Sequence, residues 1–273
     1  MDLVICDMIE RGMIHAISST GALMAHGLVS SIGLKHYKYN PRYDDTELAR
    51  RKLNRVTDTL EPETNLDTVE EVIGEVIDNL DGKETLSPTA LNRLIGKYLA
   101  EHYPNERGIL KSAYLQKVPV FVPAFVDSEL GNDIYIHNIK RRRRKKKPIL
   151  MDLERDSKEL IEIVTGAKRF GIFSIGGGVP RNNVQNVAPL IEIINERLGP
   201  TYPNRRFSYG VRICPDKPHF GHLSGCTYSE NESWRKADKD GIYAEMLADA
   251  TQVWPFLIKY LMEKHRQENG IME

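Results

Sequence analysis

Cysteine is scarce in this chain. Cys6, Cys214 and Cys226 are the only three in 273 residues, and no CxxC pair occurs among them. They are too few and too scattered for a disulfide framework or a thiolate zinc site, so they read as reduced thiols, and no metal site is expected. A dominant charge is missing as well. The 38 basic and 38 acidic side chains cancel, which removes any global pull toward nucleic acid or an anionic membrane and leaves only local patches to do so. No apolar run approaches the roughly 20 residues of a spanning helix, and the N-terminus lacks a basic region followed by an uninterrupted apolar stretch. A cytoplasmic protein without membrane contact is the expectation. There is no internal repeat, and the GxGxxG dinucleotide fingerprint is absent.

What is present is an alternation of short apolar runs and amphipathic stretches. Residues 13–17, 118–122, 170–175, 207–213 and 243–248 are strand candidates. Between them lie helical patterns, as expected of a parallel sheet flanked by helices. Val69, Val72, Ile73, Val76, Ile77 and Leu80 recur at helical spacing behind Asp67, which with Glu70 three residues later predicts an N-cap. Ser87-Pro88 supplies a cap and a first-turn proline for a second helix, whose stripe of Leu91, Leu94, Ile95, Tyr98 and Leu99 ends before Pro104. The whole predicts an α/β fold, a single Rossmann-like domain over residues 1–273 with a helical insertion between about Tyr43 and Tyr114.

Lys140 to Lys147 are eight consecutive basic residues. Such a run can contact nucleic acid or an acidic protein, but like charges repel and resist packing. An extended, solvated loop ahead of Pro148 is the favoured expectation, and nucleic acid is not an expected partner.

Two segments look suited to a dinucleotide. Ser18-Ser19-Thr20-Gly21-Ala22 follows a strand candidate and precedes a helix, so its amides and hydroxyls can face a pyrophosphate at a helix N-terminus. Gly176-Gly177-Gly178 follows another strand candidate, where absent side chains admit a ligand close to the backbone. A third segment carries the chemistry. Ser229-Glu230-Asn231-Glu232-Ser233-Trp234-Arg235-Lys236 sets an indole and an amine two residues apart with acids just upstream. Lysine is a nucleophile only when its ammonium loses a proton, and partial burial beside an indole lowers its pKa in that direction.

With Val118-Pro119-Val120-Phe121, Asp127-Ser128-Glu129-Leu130-Gly131, Leu223-Ser224-Gly225 and Ala248-Asp249-Ala250, these segments resemble, in order and spacing, the deoxyhypusine synthase family and its bacterial deoxyhypusine synthase-like branch. The resemblance runs from about Ile5 to Lys259. It implies NAD as cofactor, held by Ser19, Thr20, Gly21, Asp127, Gly176, Gly177, Gly221, Asp249 and Ala250. It also implies a polyamine substrate, spermidine, met by Glu230, Trp234, Asp133 and Asn132. Acids for the ammonium ends and an aromatic wall for the methylenes suit that substrate. Lys236 is the implied catalytic residue: the aminobutyl group passes to it as an imine and then to an acceptor amine, either a lysine of a translation factor precursor or putrescine, giving homospermidine. A homotetramer with sites at subunit interfaces is also implied.

The chain departs from the family pattern at several points. Asn132 followed by Asp133 stands where the eukaryotic synthase closes an acidic stretch with aspartate. A histidine that contacts the amine falls on Asn182 or Asn183, and Phe220-Gly221-His222-Leu223 lacks two acids. Arg235 replaces a glycine between tryptophan and lysine, so a cation that depresses the lysine pKa or obstructs the pocket is expected there. A strand and turn ahead of the segment Leu3–Gly12 are expected to be missing. These departures motivate the alternative of a catalytically degenerate, oligomeric subunit of the same fold.

Overall fold

A computed structural model describes residues 2–80 and 85–268. The chain divides into two compact units, Asp2–Asp152 and Leu153 onward, where the sequence reads as one domain.

The N-terminal unit runs α1 (Asp2–Glu10), β1 (Ile17–Ser18), α2 (Gly21–Ser31), β2 (Tyr37–Lys38), α3 (Asp45–Arg50), β3 (Leu53–Val56), β4 (Thr59–Pro62), α4 (Glu63–Asp78), β5 (Thr85–Leu86), α5 (Pro88–His102), α6 (Ile109–Leu115), β6 (Val120–Phe121), α7 (Glu129–Arg143) and β7 (Leu150–Met151). Two parallel ladders, β1 with β6 and β5 with β7, are joined by an antiparallel sheet of order β2-β4-β3. The predicted helical insertion therefore also carries the β3–β4 hairpin. The apolar stripes sit where their spacing puts them: Val69, Ile73 and Ile77 of α4, Leu91, Ile95 and Leu99 of α5 and Leu130 of α7 share one buried cluster. The Ser87 side chain accepts from Ala90 N at 3.2 Å and Pro88 occupies the first turn, as its sequence predicts. α4 differs. It starts at Glu63 behind Pro62, not behind Asp67, because the proline already holds φ at −62° and no side-chain cap is used.

The basic run is only in part the solvated loop expected: Arg144 to Lys147 are exposed and lie beyond the helix, but the first half is helical. Its first four residues form the last turn of α7, where cations oppose the helix dipole favourably. Arg141 is 2% exposed and donates to the carbonyls of Lys147 (2.7 Å), Ile77 (3.3 Å) and Leu80 (3.1 Å). Ile77 is in the last turn of α4 and Leu80 just beyond it, where helix carbonyls run short of intrahelical donors; the Ile77 carbonyl also accepts from Leu80 N at 3.0 Å. Lys140 pairs with Glu70, and Arg144 lies 3.8 Å from Asp78. Lys140, Arg141 and Arg144 each find acceptors of their own, and Arg142, Arg143 and Lys145 to Lys147 stay exposed.

The C-terminal unit runs α8 (Leu153–Gly166), β8 (Gly171–Ile175), α9 (Gly178–Gln185), α10 (Val187–Leu198), β9 (Phe207–Ile213), α11 (Tyr228–Ser233), β10 (Ala237–Met246) and α12 (Ala250–Glu268). Its three strands are all parallel, in the order β10-β9-β8. Leu160 and Val164 of α8, Ala188 and Ile191 of α10 and Trp254 and Ile258 of α12 are buried with Phe207 and Ile213. Phe170 meets Phe207 edge to face at 4.8 Å. β10 begins six residues before the predicted Tyr243, because it contains a bulge: Ala237 pairs with Phe207 but Ile242 already pairs with Tyr209. The Tyr243 hydroxyl closes the bulge by donating to the carbonyls of Phe207 (2.5 Å) and Asp238 (2.7 Å).

Candidate active site

In the N-terminal unit, β1 and β6 run parallel, so their following loops leave the same end. Ser19 N donates to Phe121 O at 3.0 Å, and Thr20 then caps α2, its hydroxyl accepting from Leu23 N at 3.3 Å. After β6 the chain turns through Asp127 into Ser128, which caps α7 by accepting from Gly131 N at 3.3 Å. Gly21 must lack a side chain: a Cβ there would lie 2.3 Å from Ser128 Cβ. The structure thus brings Ser19, Thr20, Gly21 and Asp127 together around two helix N-termini. The donors of the first turn and the helix dipole suit an anion there.

Asn132 and Asp133 follow on the same helix. Asn132 is exposed, whereas Asp133 is buried. Burial, reinforced by the carboxylates of Glu129 and Glu70 and opposed by Lys140, pushes the Asp133 carboxyl up to about 7. It is held by an acidic surrounding, which favours its neutral form.

In the C-terminal unit, the ends of the parallel strands carry the remaining candidates. β8 runs into Gly176, Gly177 and Gly178. Gly176 N donates to Ile213 O at 2.7 Å, and Gly176 (φ 71°) and Gly178 (φ 70°) adopt the left-handed conformation that favours glycine. β10 is followed by Asp249, exposed and accepting from Thr251 N at 2.8 Å at the start of α12, with Ala250 beside it. Gly221 ends the short turn Pro218–Phe220 with φ 74°. Close by, Ser224 Oγ donates to Asp216, which also faces His222 at 3.6 Å, and the Ser224 carbonyl accepts from Arg212 at 2.8 Å.

Lys236 is built from α11 upward. Thr227 caps the helix by accepting from Glu230 N at 3.1 Å, Trp234 ends it, and Arg235 takes φ 58° before β10 begins. That reversal turns the Lys236 side chain inward. It is 8% exposed, and Nζ donates to Asn182 Oδ1 at 2.7 Å and lies 5.6 Å from the Trp234 ring centre. Burial, helped by the nearby Arg181 cation, lowers the Lys236 pKa; Cys226 and Glu230 oppose the shift. Arg181 is itself buried, donates to Cys226 O at 2.7 Å and sits 5.2 Å over Tyr228, while its Nε and Nη2 have no hydrogen-bond partner among the described residues. Glu230 and Trp234 are exposed.

Arg235 does not fill the role expected of it. Its guanidinium pairs with Glu192 (2.9 Å) and Glu196 (3.4 Å), and Arg181 is the cation that acts on the lysine. The left-handed backbone at Arg235 explains why a glycine suits this position. Arg181 was missed by the sequence reading, and Asn182 stood there only as a departure. The signal available was Gly178-Val179-Pro180, which marks a helix start and so places Arg181 and Asn182 on its first turn. Which of their atoms meets Lys236 depends on packing.

The structure thus presents a buried amine beside a neutral acceptor, and glycine or hydroxyl loops after parallel strands, on an α/β fold. A family model for deoxyhypusine synthase matches residues 1–261. "Probable deoxyhypusine synthase 2" of Methanosarcina acetivorans is 33% identical over 264 residues, covering 97% of this chain and 73% of that protein. A "deoxyhypusine synthase-like protein" of Chlorobaculum tepidum is 31% identical over 268 residues, with the same coverage. The crystal structure of a "putative deoxyhypusine synthase" from Entamoeba histolytica has the same fold, with a TM-score of 0.55 at 14% identity, covering 93% of this chain and 68% of that one. The chain belongs to the deoxyhypusine synthase family, a family of transferases.

Proposed function

We propose that this protein is an NAD-dependent transferase that moves the aminobutyl group of spermidine, through an imine on Lys236, to an acceptor amine. The observation that carries the proposal is the setting of Lys236: buried, its pKa lowered, its nitrogen held by the uncharged oxygen of Asn182. An amine in that state keeps a lone pair at lower pH than an exposed lysine. It adds to the carbon–nitrogen double bond of the oxidised donor, and 1,3-diaminopropane leaves with the other nitrogen and its proton. The acceptor amine repeats the exchange and frees Lys236. Trp234 offers a ring face to the cationic chain and Glu230 a carboxylate to an ammonium end. Asp133 and Asn132 are proposed to contribute to amine binding.

The family uses NAD. Each unit by itself carries elements that suit the phosphates of a dinucleotide: capped helix N-termini at Thr20 and Ser128 in the first, and the bare backbone of Gly176 and Gly178 in the second. Ser19, Thr20, Gly21, Asp127, Gly176, Gly177, Gly221, Asp249 and Ala250 would hold it. When bound, it supplies the hydride acceptor at the start and the hydride donor at the end. The acceptor amine is a protein lysine or putrescine, and a homotetrameric, cytoplasmic enzyme is the form we propose. The alternative of a degenerate subunit loses one of its supports, since Arg235 is drawn to Glu192 and Glu196.

The test is the intact mass of the protein after incubation with NAD, spermidine and borohydride, for wild type and Lys236→Ala. An aminobutyl adduct in wild type alone is the expected result. Equal adduct in both, or none in either, overturns the assignment. Labelled spermidine offered with each acceptor in turn then distinguishes the two acceptors by which product carries label.

A further inference from the structure

Among residues given no role so far, the N-terminal unit gathers His26 of α2, His36 just ahead of β2 and Glu61 of β4. No ligand spacing in the sequence announces the group, because its members come from three separate elements. Their candidate ligand atoms all lie within 4.8 Å of one another. Glu61 is the centre of the arrangement. Its side chain is 1% exposed, its Oε2 is hydrogen-bonded to His26 Nδ1, and its Oε1 lies 3.2 Å from His36 Nε2. That second approach does not make a hydrogen bond, so Oε1 is buried with no hydrogen-bond partner among the described residues.

Leaving a buried carboxylate oxygen without a partner is costly, and such a carboxylate ordinarily is paired or holds a cation. The imidazoles are the commonest nitrogen ligands of borderline-soft divalent metals, and a carboxylate completes a three-residue set. At typical zinc–ligand distances, neighbouring ligand atoms around a tetrahedral ion are roughly 3.3 Å apart. The 3.2 Å approach of His36 to Glu61 already has that span. The two histidine side chains are 35% and 26% exposed, so an ion can enter from the solvent side and keep a water as its fourth ligand.

We propose that His26, His36 and Glu61 form a binding site for one divalent transition-metal ion, zinc being the best chemical match, which ties α2 to the β2-β4-β3 sheet. Oxygen-only cations such as magnesium fit poorly, since two of the three ligands are imidazoles. The reaction proposed for Lys236 does not enter the argument.

The experiment titrates the full-length, chelator-treated protein with Co2+ and Zn2+, following absorption, heat and thermal unfolding. One saturable equivalent is expected, with cobalt ligand-field bands, no thiolate-to-cobalt charge-transfer band and a raised melting temperature. His36→Ala and Glu61→Gln are expected to weaken binding at least about tenfold while far-ultraviolet circular dichroism stays unchanged. His36→Ala decides the matter if Glu61→Gln fails to fold. Absence of a saturable equivalent, a charge-transfer band that assigns the metal to cysteine, or unchanged affinity in a folded His36→Ala overturns the site.

Discussion

Lys236 and Arg141 are both cations withdrawn from solvent, 8% and 2% exposed, and the difference between them lies in how their donors are met. Arg141 spends three nitrogens on three backbone carbonyls, and its fixed charge holds the end of α4 to the end of α7. Lys236 has one neutral side-chain oxygen and a ring, with a second cation close by, so its charged form is poorly compensated and its pKa falls. A guanidinium hardly ever deprotonates, whereas a desolvated ammonium gives up its proton. Saturation of donors keeps one cation charged, and deprivation of them eases the other toward its neutral form.

The comparison can be broken most directly at its ends. Lys236→Ala is expected to abolish the borohydride-trapped adduct altogether, as read by intact mass, with the fold retained. Arg141→Ala is expected to strip the guanidinium donors from three carbonyls, of which only that of Ile77 keeps backbone N–H partners among the described residues, and to lower unfolding free energy by about 3 kcal/mol in urea denaturation. The exposed neighbour Arg142→Ala should cost under about 0.5 kcal/mol. Equal effects of the two arginine variants would remove the distinction between packed and solvated members of the run.

Asp133 extends the comparison to an acid. With its carboxyl pushed up to about 7 from the usual 3.8, the folded state holds a proton that the unfolded chain releases in that interval. Stability therefore falls as pH rises through the window. Asp133→Asn, neutral throughout, is expected to flatten that slope, by about 2–3 kcal/mol between about pH 5 and about pH 8. Parallel pH–stability curves for variant and wild type would sink the account.

Two smaller effects sharpen the setting of the lysine. Asn182→Asp puts a carboxylate where a neutral oxygen stood, so the ammonium is favoured. Imine formation should then need roughly one more pH unit to reach half its maximum, a shift read by trapping at a series of pH values. Arg235→Gly relieves a left-handed backbone but removes exposed ion pairs with Glu196 and the partly buried Glu192. These offset, and the urea midpoint is expected to stay close to that of wild type, with the pH profile of Lys236 unchanged. A moved profile would return Arg235 to the role that Arg181 holds.

Several parts of the molecule were legible from residue order. Ser87-Pro88 and its apolar stripe predicted α5 closely, and Phe207–Ile213 is a strand over the predicted range, because local spacing and capping chemistry dictate both. The start of α4 was misplaced, since Asp67 looks like a cap only when Pro62 is overlooked. Residues 243–248 marked only the later part of β10, because the bulge carries polar residues that break the alternation on which strand recognition depends. The basic run misled for a related reason: charge repulsion is visible in a sequence, but the carbonyls of Ile77 and Leu80 that absorb Arg141 are supplied by a distant helix.

Sequence alone determined the family and the α/β class, and it singled out Lys236 and the glycine and hydroxyl loops as candidates, because these rest on residue types in a fixed order. Only tertiary structure decided that Asn182 holds the Lys236 nitrogen, that Arg181 and not Arg235 is the cation beside it, and that His26, His36 and Glu61 meet. Each of these depends on a side chain reaching an atom from another part of the chain, and burial sets the charge it carries there.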